Sequence, residues 1–244
     1  MHLVSAAISN PGGRAKNEDA WGSEQINQHA GCWVVADGLG GHGGGDSAAH
    51  LAVEHSLAAF RHDATVAPQT LKDYLASAQT AILTGQKRTV ALSQMRTTLV
   101  MLLSDFQTAL WAHIGDSRLY YFHAGRITLQ TRDHSVPQAL VDAGALQPDM
   151  IRDHPDRNQL LRSLGSPGPL HPTLLGHPVA LAAGDAFLLC SDGFWEYVLE
   201  AEMEQELAEA SNPQTWLSRM EARLLWRAPA WHDNYTAIVV LVNE

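Results

Sequence analysis

An α+β chain, with antiparallel sheets packed under helices, is what the order of apolar segments predicts. Short β-rich runs come first; two helical stretches, a dense series of strands, two more helices and a last strand complete the order. The breaks in the strand-rich middle are two to four residues long. A parallel crossover needs a dozen or more, so these strands are expected to form antiparallel hairpins or a meander. No repeat, low-complexity tract, linker or shift of composition divides the 244 residues, so 1–244 is read as one domain.

Each element has its own signal. The run Leu3–Ser9 ends at Asn-Pro-Gly-Gly, a turn sequence. Cys32–Ala36 is rich in Val and Trp and stops at Asp37-Gly38, which reads as a buried strand. Between Asp46 and Phe60 the residues Ala49, Val53, Leu57 and Phe60 share one helical face. A second helix spans about Pro68 to Lys87, with proline in its first turn. Next come four strands: Thr97–Leu103, Thr108–Ile114, Arg118–His123 and Arg126–Gln130. Residues 135–164 are helical in parts, interrupted by Gly144, Pro148 and Pro155. Strands Pro178–Leu181 and Ala186–Ser191 flank Gly184-Asp185. Helices at about Glu200–Ala210 and Pro213–Trp226 precede the last strand, Thr236–Val242.

Composition narrows the function. With 26 acidic and 16 basic side chains the net charge is −10, which argues against a surface that neutralises nucleic-acid phosphates. A 45% hydrophobic content suits a folded globule. The two cysteines, Cys32 and Cys190, sit in apolar runs and are expected to be buried thiols of a reducing, cytoplasmic compartment. No apolar run approaches the ~18 residues of a membrane span, and the N-terminus lacks a basic signal-peptide region.

Acidic residues recur just beyond strand ends: Glu18-Asp19, Asp37-Gly38, Gly115-Asp116, Asp192-Gly193 and Asp233-Asn234. Alone, each is ordinary turn chemistry. Together, carboxylates delivered by several strands to one place would repel one another unless a cation joined them. An all-oxygen set favours Mg²⁺ or Mn²⁺ over Zn²⁺, and two such ions can activate a water against a phosphoryl group. The stretch Gly38-Leu39-Gly40-Gly41-His42-Gly43 fits a dinucleotide-binding pattern literally, but the chain downstream of it is helical and then antiparallel. Its glycines are better used in a backbone that approaches a metal closely. Arg14, on the turn before Glu18, is either a solvated arginine or a bidentate phosphate ligand.

These residues resemble the metal-dependent protein serine/threonine phosphatases of the 2C type, bacterial branch. The matching segments, in the family's order, are Arg14–Asp19, Val35–Gly41, Thr97-Thr98-Leu99, Ile114–Arg118, Asp133-His134-Ser135, Asn158–Arg162 with Leu164-Gly165, Ser191–Trp195 and Asp233–Thr236. They span almost the whole chain. The resemblance implies an α/β/β/α sandwich of two antiparallel sheets flanked by helices. It also implies roles. Asp37 would bridge two Mn²⁺ or Mg²⁺ ions, with the Gly38 carbonyl on the second. Asp192 and Asp233 would complete the first ion's carboxylates, and Glu18 and Asp19 would serve the second, directly or through water. Asp116 would help to hold a third, weaker ion, and Arg14 would bind the substrate phosphate. Residues of about 136–165 would form a flap beside the cleft that affects substrate choice.

One position departs from the animal members, which carry a histidine after the Asp-Gly pair, a candidate general acid. Leu39 stands there, as is usual in the bacterial branch, so the leaving oxygen must find its proton elsewhere, as from water. His42 reads better as a surface or helix-capping group, and His134 as a turn-forming one. The resemblance implies a monomeric, cytoplasmic hydrolase of phosphoserine and phosphothreonine, opposing a serine/threonine kinase, with type VI secretion as one setting. Neither the cysteines nor any other feature suggests a covalent enzyme intermediate. Two readings compete: a catalytically dead binding module, which should have lost a metal carboxylate, and a metal-dependent nuclease or pyrophosphatase, which the net charge disfavours as a nuclease.

Overall fold

The computed structural model describes residues 1–26, 29–39 and 43–244. In chain order the elements are β1 (His2–Asn10), β2 (Asp19–Ile26), β3 (Ala30–Leu39), α1 (Gly45–His62), α2 (Pro68–Gly85), β4 (Arg96–Thr97), β5 (Leu99–Ser104), β6 (Thr108–Ile114), β7 (Arg118–His123) and β8 (Arg126–Gln130). Then come α3 (Val136–Asp142), β9 (Thr173–Leu174), β10 (Val179–Ala180), β11 (Ala186–Cys190), α4 (Asp192–Trp195), α5 (Glu200–Glu209), α6 (Pro213–Arg227) and β12 (Tyr235–Asn243). All pairings are antiparallel. One sheet runs β1-β12-β11-β7-β8; the other runs β10-β6-β5-β3-β2, with β4 on β3 and β9 on β6.

The layers derive from strand alternation. In β3, Cys32, Val34 and Ala36 pack under α1 and α2, while Trp33 and Val35 face the other sheet. In β11, Leu188 and Cys190 pack under the later helices, while Phe187 and Leu189 meet Trp33's layer. Strands covered on both faces read as unbroken apolar runs, which is why 32–36 and 186–190 lack a polar face. The result is the expected α/β/β/α sandwich with three apolar layers. Among the described residues no helix is long and apolar enough to cross a membrane. Cys32 and Cys190 are free and fully buried.

The four middle strands form antiparallel hairpins, the first of the two expected arrangements: β5 with β6 in one sheet and β7 with β8 in the other. Gly115, at φ +103°, makes the crossing; a Cβ there would lie 2.7 Å from the Thr98 Cβ. One expectation is corrected: Asp37-Gly38 is not a turn, because β3 continues through both to Leu39, held by β2 and β4. β2 carries no apolar run of its own and is defined by its pairing with β3.

Candidate active site

Asp37 is built into the sandwich at the end of the layer between the sheets. It lies on the same side of β3 as Trp33 and Val35 and pairs in register with Asp19. Like charges opposite each other in a ladder repel, yet the backbone there is locked. The Asp37 N–H donates to Thr98 Oγ1 at 3.0 Å. Its carbonyl accepts from the Thr98 N–H at 2.9 Å and from the Thr97 hydroxyl at 2.8 Å. The Gly38 N–H donates to the Glu18 carbonyl at 3.2 Å. A Cβ on Gly38 would stand 2.3 Å from the Gly45 carbonyl oxygen and 2.5 Å from that of Glu18, so no side chain fits.

The second sheet closes against this point. Ser191, just past β11, donates its hydroxyl to Asp19 Oδ2 at 2.7 Å and accepts from the Thr236 N–H at 2.9 Å. Asn234 accepts from the Glu18 N–H at 2.8 Å and donates to the carbonyls of Pro11 and Lys16, both at 2.9 Å. That amide ties the loop carrying Arg14 to the loop carrying Asp233. Asp116 comes just after the Gly115 crossing and is buried, its carbonyl accepting from Trp195 Nε1 at 2.9 Å. Behind it Arg118 and Asp133 form a buried bidentate pair, at 2.9 and 2.8 Å, with the guanidinium 3.5 Å over the Trp195 ring.

Glu18, Asp37, Gly38, Asp116, Asp192 and Asp233 line one open cleft of about 930 Å³, with Arg14 at its edge. Asp19 stands behind Asp37 and does not reach the cleft wall. Arg14 donates to Asp233 Oδ2 at 2.8 Å, an exposed pair. The flap residues Asn158, Leu160 and Ser163 border the cleft. They are anchored where Leu164 bridges Thr97 and where Arg157 donates to Glu196 Oε1 at 2.6 Å. His134 is not among the cleft residues. Its Nδ1 accepts from the Gly115 N–H at 3.2 Å, its Nε2–H faces Thr173 Oγ1 at 2.9 Å, and burial with nearby His113 and Arg162 pushes its pKa down to about 3. It is therefore a neutral turn-holding imidazole. The reading of His42 falls outside the described residues, as does that of Gly40 and Gly41.

Electrostatics mark the cluster. Burial, then Asp19, Asp192 and Asp116, push Asp37 well above the usual carboxylate range. Burial, then Asp116, Glu196 and Asp233, do the same to Asp192. Burial raises Asp116 to about 7, with Asp133 adding to it, and Asp19 to about 6, with Ser191 and Thr236 opposing. Carboxylates that raise one another in this way cannot all stay ionised without a cation. Asp19 Oδ1 is buried without a partner.

This donor set fits hard divalent cations. It is all oxygen; burial pushes both thiols up and leaves them protonated, and an ion would remove the need for the extra protons. Among the described residues no three Asp, Glu, His or Cys side chains stand close enough to close a shell by themselves. Carbonyl oxygen and water would therefore fill much of each shell, as Mg²⁺-like ions prefer.

Sequence reasoning missed Arg96, Glu196 and Asn234. Arg96 lines the cleft from β4, Glu196 adds charge beside Asp192, and Asn234 joins the two loops. No local signal marks the first, since β4 is two residues long and is defined by its pairing with β3.

The comparisons agree with this architecture. The sequence profile of the protein phosphatase 2C family matches residues 12–225, and the chain belongs to that family. It is 34% identical over 243 residues to the serine/threonine protein phosphatase PstP of Mycobacterium tuberculosis, covering 95% of this chain and 43% of that protein. It thus spans less than half the length of that relative. It is 33% identical to the serine/threonine phosphatase stp of Listeria innocua, over 94% of this chain and 92% of that one. Among solved structures, the PstP catalytic domain in complex with two manganese ions superposes with a TM-score of 0.80 at 30% identity, covering 99% of each chain. PppA, described as a key regulatory component of the type VI secretion system in Pseudomonas aeruginosa, superposes at 0.73 with 30% identity, covering 99% of this chain and 98% of that one.

Proposed function

We propose that this chain is a protein phosphatase that hydrolyses phosphoserine and phosphothreonine with two Mn²⁺ or Mg²⁺ ions, and a third, weaker one beside Asp116. The carrying observation is the cleft in which mutually repelling carboxylates from both sheets meet Arg14. Asp37 would bridge the first two ions, with the Gly38 carbonyl on one of them. Asp192 and Asp233 would serve the first ion; Glu18, and Asp19 from behind it, the second. Bound cations supply an acidified water and neutralise phosphoryl oxygens.

The chain's own residues do the rest. Arg14 would turn from Asp233 to the substrate phosphate, an exchange that costs little, since an exposed ion pair is worth ~0–1 kcal/mol. That turn also frees Asp233 for an ion. Hydrogen bonds with Thr97 and Thr98 hold the Asp37 backbone in place, so catalysis rests on positioning and electrostatics. Among the described residues no histidine lines the cleft, and the leaving oxygen takes its proton from water.

The proposal extends to one phosphatase domain over 1–244, a monomer acting in the cytoplasm on a phosphoprotein, against a serine/threonine kinase and not on nucleic acid. The buried free thiols support the reducing compartment, and the net charge of −10 weighs against a nucleic-acid substrate. Equal identity to PppA and to the PstP catalytic domain favours neither a type VI setting nor another kinase pairing.

The test is phosphate release from a phosphothreonine peptide with Mn²⁺, with Mg²⁺ and with EDTA, for wild type and Asp192→Asn. Metal-dependent release that vanishes in the variant is expected. A folded wild type that releases nothing in either metal would instead point to a phosphoprotein-binding module.

A further inference from the structure

The two-residue strand β4 is gripped from both sides. Leu39 and Gly38 of β3 pair with Arg96 and Thr97. On the other side Thr97 exchanges backbone hydrogen bonds with Leu164, at 3.2 and 2.9 Å. Met95 and Thr97 are fully buried, so alternation turns Arg96 away from the interior, and it lines the cleft. Its backbone is fixed by the strand that carries Asp37 and by the end of the flap.

The other cations of the cleft have partners: Arg14 pairs with Asp233 and Lys16 with Asp46. Arg96 pairs with no carboxylate among the described residues. The cleft wall also carries the uncharged polar side chains of Gln94, Asn158 and Ser163. A guanidinium presents a planar fork suited to a carboxylate, and one left unneutralised in an otherwise acidic cleft is a place for a negative group on whatever enters.

Resting on the phosphatase reading, we infer that Arg96 is a specificity-determining residue that binds an acidic side chain next to the phosphorylated residue of the substrate. The phosphoryl group itself is left to Arg14 and the cations. Arg96 therefore selects among phosphoproteins without taking part in the reaction.

The experiment compares two phosphothreonine peptides, one with Glu and one with Gln on both sides of the phosphoresidue, in Mn²⁺. Wild type, Arg96→Gln and Arg96→Lys are measured. Wild type should prefer the Glu peptide by roughly tenfold in kcat/KM, seen mainly in KM. Arg96→Gln should bring the ratio to about one, and Arg96→Lys, which keeps the charge but not the fork, should retain part of it. A wild type without preference, or an Arg96→Gln variant that keeps it, overturns the inference. So does an equal loss on both peptides, which would place Arg96 on the phosphoryl group. Failure of wild type to hydrolyse either peptide would sink the phosphatase reading itself, a result distinct from all of these.

Discussion

The buried pair behind Asp116 offers the sharpest stability prediction. Arg118 and Asp133 keep 4% and 2% of their side-chain surface and share two hydrogen bonds, at 2.9 and 2.8 Å. Arg118→Met keeps much of the volume over Trp195 but strands the Asp133 carboxylate. Removing one partner of a buried pair costs about 3–5 kcal/mol, because a buried charge is left uncompensated. At ~2–4 °C per kcal/mol for a domain of this size, that is a drop in Tm of about 6–20 °C. Arg118→Met with Asp133→Leu should recover most of it, since no charge is then stranded. Thermal and urea unfolding of the metal-free protein, with pair coupling taken from the double-mutant cycle, measure this. A single-variant loss under ~1 kcal/mol, or a double variant no better than the single, would refute the reasoning.

Two further predictions concern the same neighbourhood. Gly38→Ala forces a methyl against the backbone carbonyls of Gly45 and Glu18, and should cost about 1–3 kcal/mol in urea unfolding while displacing the Asp37 backbone; unchanged stability would contradict the packing. His134, held neutral with a pKa of about 3 against ~6.5 unfolded, makes the unfolded chain bind the extra proton between those values. Its contribution to stability is therefore whole above ~6.5 and falls as pH drops, by about 2 kcal/mol at pH 5. His134→Asn should be flatter than wild type between pH 7 and 5, and parallel curves would refute the assignment.

Much of the site was legible because its carboxylates sit at the ends of apolar runs. Asp37, Asp116 and Asp192 could be picked out beside glycines, and the structure brings all three to one cleft. The layering was legible too, because strands covered on both faces give runs such as Cys32–Ala36. What was hidden depends on partners distant in sequence. Local spacing cannot tell that β7 leaves the hairpin's sheet, since Gly115-Asp116-Ser117 is as short as a hairpin turn. Nor can it tell that Asp19 faces Asp37 across a ladder, or that Arg96 looks into the cleft, since β2 and β4 lack apolar runs and gain their identity from β3.

On the proposed function, this carboxylate cluster holds cations, and Asp37 is shared between two of them. Titration calorimetry with Mn²⁺ on the metal-free protein tests it most directly. At least two ions are expected to bind wild type, and Asp37→Asn should weaken both while remaining folded. Binding that survives Asp37→Asn unchanged would show that Asp37 holds neither ion.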